Sequence, residues 1–116
     1  MGWEIVRTLG ELMDRSFADH AQRVAVRVLR PGSEGALEYQ PISYAELKQL
    51  RDQLAVGLAG RGLIKGQRVG ILTDGGFEPL LVFLACDRLG LSSVPLCIKT
   101  STEILAHNIN HSGMAL

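Results

Sequence analysis

Two histidines are the residues of this chain whose spacing points most directly to chemistry. His107 and His111 are four residues apart, so on a helix their side chains would share one face, as in zinc sites. The metalloprotease form of this motif has glutamate after the first histidine, and here that residue is Asn108. No third ligand is evident nearby, and a histidine near a helix C-terminus is favoured by the helix dipole. We therefore predict no metal site.

The segment Asp74-Gly75-Gly76 is a candidate for ligand contact because it follows a predicted parallel strand. Ligands of open α/β sheets bind at the carboxyl ends of the strands. Asp74 is also a suitable N-cap for the next helix, because its carboxylate accepts hydrogen bonds from the first helical turn. We predict the capping role, with a ligand contact as the alternative.

Glycines at Gly60, Gly62 and Gly66 have a superficial likeness to a phosphate-binding loop. A nucleotide-binding fingerprint places its glycines after a strand and at the start of a helix. Here they follow a predicted helix and precede a predicted strand, which is the reverse order. The glycines are therefore predicted to end a helix and form a turn.

Nucleophilic catalysis has no support in the sequence. Cys86 and Cys97 lie in apolar segments and form no CxxC pair, so we predict buried, reduced thiols in a cytosolic protein. There is no G-x-S-x-G motif and no P-loop. From the residues alone, no catalytic, cofactor-binding or metal-binding residue is predicted in this chain.

The clearest structural signal is the start of a long helix at Ser43. Glu46 lies three residues after Ser43, which is the spacing of a capping box. Ile42 and Leu47 flank the cap at the positions of a hydrophobic staple. The same capping-box spacing recurs at Thr8 and Glu11 and at Thr100 and Glu103.

Periodicity within the Ser43 helix predicts a buried stripe and a solvated face. The predicted stripe contains Tyr44, Leu47, Leu50, Leu54, Ala55 and Leu58. The predicted solvated face contains Lys48, Gln49, Arg51, Asp52 and Gln53.

Elsewhere, hydrophobic periodicity and turn residues predict alternating helices and strands. The predicted helices are Leu9–His20, the Ser43 helix, which ends at Gly60, Phe77–Leu89, and a last helix that runs through about Asn110. The predicted strands are Val24–Leu29, Ala36–Ile42, Arg68–Thr73 and Ser92–Leu96. The first two strands should pair as a hairpin around a turn at Pro31–Gly35, and Met114–Leu116 should begin another strand. The fold class is therefore α/β: an N-terminal β-hairpin followed by βαβ units with a parallel sheet.

Composition limits the possible partners. The 116 residues suit one domain, and twelve basic residues balance twelve acidic ones, which disfavours nucleic acid. No apolar run is long enough to span a bilayer, and Met1–Arg7 lacks the basic region of a signal peptide. We expect a soluble cytoplasmic protein, with peripheral membrane association left open.

Three stretches match known motifs in order and spacing. Ile42–Leu47 has the form (I/L)(T/S)YxEL, Gly62–Leu72 the form GhxxGDRVhhh, and Leu84–Leu96 the form hhxxGAxxVPL, where h is apolar. Together they resemble the amino-terminal end of the AMP-forming acyl-CoA synthetases, within the adenylate-forming ligase superfamily. The resemblance covers about Thr8 to Leu116, and Ser101–Ser112 is similar to a stretch of the long-chain fatty acid branch.

This resemblance implies a ligase that activates a fatty acid with ATP to an acyl-adenylate and transfers the acyl group to coenzyme A. Mg²⁺ would support the phosphoryl chemistry. In the family, the phosphate-binding loop, the adenine-binding segment and the catalytic lysine follow this segment. Residues 1–116 are therefore expected to form a partial N-terminal subdomain of an adenylating domain, without an internal boundary. Alone, it should bind no cofactor and be inactive.

Two alternatives remain open. The chain could belong to a ligase of another branch, which stops at the acyl-adenylate or uses a carrier protein as acceptor. It could instead be a free-standing interaction domain without catalytic activity. The expected partner is the remainder of the adenylating domain. Without it, we expect the chain to self-associate, because an unfinished sheet and an apolar helix leave surface to cover.

Overall fold

The computed structural model describes residues 6–116; residues 1–5, part of the segment considered for a signal peptide, lie outside this range. The helices are α1 (Leu9–Asp19), α2 (Tyr44–Gly60), α3 (Glu78–Leu89) and α4 (Thr102–Ser112). The strands are β1 (Val24–Pro31), β2 (Leu37–Ser43), β3 (Arg68–Thr73) and β4 (Ser92–Cys97). The predicted order of elements is confirmed through α4, and the further strand predicted at Met114–Leu116 is not present.

The hairpin of β1 and β2 is antiparallel, as predicted, with an irregularity between Val24 and Val26. Pro31 was predicted in the turn but lies at the end of β1, opposite Leu37. It is tolerated there because proline fits strand ends, where no ladder hydrogen bond has to be donated.

Ser43 starts α2 as the sequence predicts. Its side chain accepts a hydrogen bond from the Glu46 backbone N–H at 3.1 Å, and the Glu46 carboxylate accepts one from the Ser43 N–H at 3.2 Å. Ile42 and Leu47 are both buried in the same core cluster, consistent with the predicted staple. These contacts set the direction in which α2 leaves the hairpin.

Strands β3 and β4 pair in parallel and are joined by α3, which confirms the predicted βαβ unit. Residues 114–116 are not assigned as a strand. They do form backbone hydrogen bonds with β3, from Ala115 N to Arg68 O and from Gly70 N to Leu116 O, each 2.8 Å. Successive residues of a strand direct their backbone N–H and C=O groups to opposite edges. The Gln67 carbonyl accepts a hydrogen bond from the Ser92 N–H on the β4 edge, so the carbonyl of the next residue, Arg68, faces the other edge. The final residues therefore lie along the other edge of β3.

Two buried clusters form the core. One joins α2, α3 and the parallel sheet through Ala55, Leu58, Val69, Ala85, Cys86 and Leu91. The other joins α1, the hairpin, α2 and α3 through Phe17, Val28, Ile42, Leu47 and Leu84. Gly10 lets α1 approach α3 closely, since a Cβ there would lie 3.1 Å from the Asp87 carbonyl oxygen.

Several predicted caps are wrong. The N-cap of α3 is Phe77, without a side-chain cap hydrogen bond, so Asp74 does not cap this helix. The N-cap of α4 is Ser101, one residue after the predicted Thr100, and this helix continues to Ser112. At α1 only half of the capping box forms, because Glu11 accepts from the Arg7 N–H instead of the Thr8 N–H.

Candidate functional site

The second and third sequence motifs meet at one junction between α2, β3, α3 and β4. Gly66, in the turn before β3, donates its N–H to the Gly90 carbonyl at 2.9 Å, and Ser92 donates to Gln67 O at 2.9 Å. Gly66 (φ +91°) and Gly90 (φ +70°) both have left-handed backbone conformations that favour glycine. These motif glycines therefore hold the fold together at this junction.

The glycines with a likeness to a phosphate loop do not fit a phosphate. Gly62 N–H already donates to the Ala59 carbonyl at 3.0 Å, and Gly66 N–H is occupied by Gly90. A phosphate cradle needs free backbone N–H groups that converge on the anion. The predicted helix end and turn are confirmed, and no nucleotide-binding step is assigned to these residues.

The carboxyl edge of the parallel sheet carries the Asp74-Gly75-Gly76 turn. Thr73 Oγ1 accepts from the Gly75 N–H at 3.1 Å and donates to the Gly75 carbonyl at 3.0 Å. Gly75 (φ +120°) and Gly76 (φ +102°) need the conformational freedom of glycine. Two hydrogen bonds between Thr73 and Gly75 thus close the turn, and Asp74 has neither the predicted capping role nor a structural sign of a ligand.

Arg51 is the charged residue that sequence reasoning placed wrongly. It was predicted on the solvated face of α2, but its side chain is only 1% exposed. Its Nη2 lies 2.8 Å from Asp14 Oδ1 on α1 and donates to Asp52 Oδ1 at 2.8 Å. Its guanidinium carbon lies 4.8 Å from the centre of the Phe17 ring, within cation–π range.

The electrostatics around Arg51 are nearly balanced. Burial alone would raise the pKa of Asp52, but hydrogen bonds from Lys48 and Arg51 outweigh it and hold this pKa below its usual value of 3.8. Lys48 Nζ lies 2.7 Å from Asp52 Oδ2. The carboxylates of Asp14 and Asp52 therefore neutralise much of the positive charge of Lys48 and Arg51.

A groove of about 370 Å³ runs beside this network between α2 and α3. Its lining combines the charged network with Arg88 and with apolar side chains of both helices: Ala55, Val56, Ala59 and Leu89. Within residues 6–116, Arg51 Nη1 and Asp14 Oδ1 are buried without a hydrogen-bond partner, so the 2.8 Å contact of Asp14 with Arg51 Nη2 is an ion pair without hydrogen-bond geometry. The ion pairs join α1 to α2, so we interpret this network as a structural connection between helices.

The two cysteines lie in different environments. Cys86 is buried as predicted, and burial raises the pKa of its thiol, which a hydrogen bond with Ser93 only partly offsets. Cys97 was predicted to be buried but is exposed at the end of β4. A raised pKa keeps a thiol protonated and unreactive, so Cys86 is a structural residue.

The histidine pair lies on the exposed surface of α4. The rings of His107 and His111 are stacked, with centroids 5.5 Å apart and planes 10° from parallel. In the described part of the chain, no group of three histidine, cysteine or acidic side chains is placed to hold a metal ion. In that same part, no helix combines the length and apolar composition needed to cross a bilayer.

Comparison with known proteins places this architecture in a family. The family described as AMP-binding enzyme matches residues 13–116. The chain belongs to the AMP-binding enzyme family. The motif junction and the capped α2 helix therefore lie in a segment that the family shares.

Curated relatives come from more than one kind of enzyme. The chain is 36% identical over 108 residues to the acyl-CoA ligase cnsG of Penicillium expansum, a match covering 91% of this chain and 21% of that protein. It is 32% identical over 109 residues to a plipastatin synthase polypeptide of Bacillus subtilis (strain 168), covering 94% of this chain and 4% of that protein. The chain thus spans about a fifth or less of the length of these relatives.

Solved structures show the same fold. The N-terminal subdomain of NpsA from Klebsiella oxytoca superposes with a TM-score of 0.79 at 22% identity, over 94% of this chain and 26% of that chain. A putative long-chain-fatty-acid CoA ligase from Rhodopseudomonas palustris CGA009 superposes with a TM-score of 0.79 at 21% identity, over 94% and 25%. The α/β fold is that of the N-terminal subdomain of adenylating enzymes, and this fold is common to relatives with differently named functions.

Proposed function

We propose that this chain is the N-terminal part of the adenylating domain of a ligase that activates a carboxylic acid. In the first step, a carboxylate oxygen attacks the α-phosphorus of ATP, and the bond to pyrophosphate breaks. In the second, a thiol sulfur attacks the acyl carbonyl, AMP leaves, and the thiol proton is released. The family match over residues 13–116 supports this reaction class.

Within that enzyme, the proposed role of the chain is to support the fold. The observation that carries this proposal is that motif residues are engaged in folding contacts, such as the Ser43–Glu46 capping box and the Gly66–Gly90 hydrogen bond. The backbone N–H groups of Gly62 and Gly66 are not free to bind phosphate. ATP and Mg²⁺ would therefore be bound by residues outside this segment, and the chain alone would be inactive.

Long-chain fatty acids and coenzyme A are the proposed substrate class and acceptor. The resemblance of Ser101–Ser112 to the fatty acid branch supports this, as does the relative named an acyl-CoA ligase. A second candidate is transfer of the acyl group to a carrier protein. It is favoured by a similar structure described as an adenylation–PCP di-domain, which aligns over 96% of this chain with a TM-score of 0.79 at 21% identity.

ATP–pyrophosphate exchange tests the reaction class. The complete gene product and the 116-residue chain are assayed with a panel of carboxylic acids of different chain lengths. We expect exchange that depends on the acid for the complete product only. Absence of exchange with every acid would contradict the ligase, and exchange by the chain alone would contradict its supporting role.

The acceptor is tested separately, by supplying the acyl-adenylate-forming enzyme with coenzyme A or with a phosphopantetheinylated carrier protein. AMP release that depends on coenzyme A is expected. Release only with the carrier protein would favour the second candidate. Acyl-adenylate that accumulates with either thiol would show that the enzyme stops at the adenylate.

We further infer that the isolated chain self-associates. Large apolar side chains are exposed on the hairpin and around α4, including Leu37, Tyr39, Ile98 and Ile104. Apolar surface of this kind is normally covered by another part of a protein. Sedimentation velocity should show species larger than a monomer at tens of micromolar, and a strict monomer would contradict the inference.

A further inference from the structure

The exposed face of α4 carries a pair of histidines that the proposed ligase chemistry does not use. His107 and His111 are one helical turn apart, both exposed, and their rings lie 5.5 Å apart and nearly parallel. Each imidazole has a nitrogen lone pair when neutral and can therefore bind a metal ion. The pair is outside the Arg51 network and the motif junction.

The helix that carries these residues has well-defined ends. Ser101 Oγ accepts a hydrogen bond from the Ile104 N–H at 3.3 Å, and Gly113 ends the helix in a left-handed conformation (φ +65°). Beyond it, Ala115 and Leu116 are hydrogen-bonded to β3. Since both ends of α4 are fixed, the histidines share a face of a regular helix instead of a frayed terminus.

Contrary to the expectation from the sequence, we propose that His107 and His111 form a surface site for a divalent transition-metal ion that prefers imidazole, of the class of Zn²⁺, Ni²⁺ and Cu²⁺. Two nitrogens that each lie about 2.1 Å from one ion are at most about 4.2 Å apart. The rings lie nearly parallel, so a rotation of the side-chain torsion angles would direct one nitrogen of each ring toward a shared ion. Exposed side chains change torsion angles in picoseconds to nanoseconds, so this adjustment is fast.

The ligand set also predicts which ions do not bind. Mg²⁺ and Ca²⁺ prefer several oxygen ligands, and two imidazoles do not supply them. In the described residues no third metal-binding side chain converges on the pair, so the ion would keep its other positions for water or a ligand from another molecule. Such a site binds reversibly and does not build the fold.

Titration of the untagged 116-residue chain with Ni²⁺, followed by calorimetry at concentrations where sedimentation velocity shows the monomer, tests the proposal. Loss of a residue that only hydrogen-bonds to a metal ligand already lowers the affinity for the metal about 10–100-fold. His107→Ala and His111→Ala should therefore each weaken Ni²⁺ binding at least about tenfold. The same two variants should weaken Zn²⁺ binding, while Mg²⁺ should give no heat of binding. In NMR spectra, Ni²⁺ should broaden signals of α4 first.

Three variants serve as controls. Asn108→Ala changes an exposed residue of the same helix and should leave Ni²⁺ affinity within about twofold, since its side chain supplies no preferred ligand for this ion. His20→Ala and Cys97→Ser remove the other histidine and the exposed thiol and should also retain binding. Loss of binding in either of these variants, or unchanged binding when both His107 and His111 are replaced, would overturn the proposal.

Discussion

Replacement of Asp14 by asparagine tests whether the ion pair with buried Arg51 stabilises the fold. The two side chains connect α1 to α2, with Nη2 and Oδ1 2.8 Å apart. Asparagine keeps the size and helix propensity of aspartate nearly unchanged and replaces the charged carboxylate by a neutral amide. The variant therefore leaves the buried guanidinium with Asp52 as its remaining carboxylate partner.

The expected loss of unfolding free energy in Asp14→Asn lies between the values for exposed and for buried ion pairs. Exposed pairs contribute about 0–1 kcal/mol, whereas removing one partner of a buried pair costs about 3–5 kcal/mol. Arg51 is 1% exposed, but Asp14 is 46% exposed, so water partly screens the pair. We expect Asp14→Asn to lower the free energy of unfolding by about 2 kcal/mol, or the melting temperature by roughly 8 °C.

Urea unfolding of Asp14→Asn, Arg51→Met and the double variant measures the coupling between the two residues. Methionine keeps much of the apolar contact with Phe17 while removing the charge. The coupling energy should be about 1–2 kcal/mol, within the range seen for residues in contact. Lys48→Ala is the matched control, because its pair with Asp52 is similarly short, 2.7 Å against 2.8 Å, but its side chains are 48% and 40% exposed. This control should cost less than about 0.5 kcal/mol.

Two outcomes would refute this reasoning. A coupling energy below about 0.3 kcal/mol would mean that the residues act independently despite their proximity. Equal losses for Asp14→Asn and Lys48→Ala would mean that burial of Arg51 does not strengthen its ion pair. A change in the slope of unfolding free energy against urea would instead indicate an altered unfolded or native state.

Three further predictions concern other parts of the fold. Ser43→Ala removes the N-cap of α2 and should lower the unfolding free energy by about 1 kcal/mol in urea unfolding, and no loss would contradict a stabilising role of the cap. Gly70→Ala should stabilise the chain by less than the about 0.4–1 kcal/mol usual for such a change, because its Cβ would displace the flexible Met114 side chain, and a Met114→Ala background should restore the full gain; equal gains in both backgrounds would contradict the contact. The lowered pKa of Asp52 means that its charge stabilises the fold fully above pH about 4 and that this stabilisation is lost as the pH falls through the lowered pKa. Asp52→Asn should therefore flatten the loss of melting temperature on acidification, and an unchanged acid profile would be inconsistent with this assignment.

The elements that depend on local sequence were predictable. The capping box of Ser43 and Glu46 involves backbone groups only three residues apart, so its two hydrogen bonds follow from the local pattern. The strands β3 and β4 were predicted from apolar runs between turns, and their parallel pairing from the intervening helix. These features need no knowledge of distant residues.

Arg51 was misplaced because its burial depends on a residue of another helix. The helical period puts it beside the polar residues of α2, and an arginine there is normally solvated. Its burial becomes possible only because α1 brings Asp14 and the face of Phe17 against it. Similarly, Asp74 is a good cap by type, but the Thr73–Gly75 turn moves the start of α3 to Glu78. Side-chain type does not reveal either arrangement without the tertiary contacts.

The motif junction explains why two of the family's motif residues in this segment are glycines. Gly66 and Gly90 belong to different motifs, and each has a backbone conformation that a side chain would strain. Their hydrogen bond places the start of β3 beside the end of α3, and the bond between Ser92 and Gln67 sets the register of β4 against β3. Replacing either glycine would shift the strands whose carboxyl ends form the ligand-binding edge of such sheets. The family pattern at these two glycines is therefore a constraint on the position of the parallel sheet.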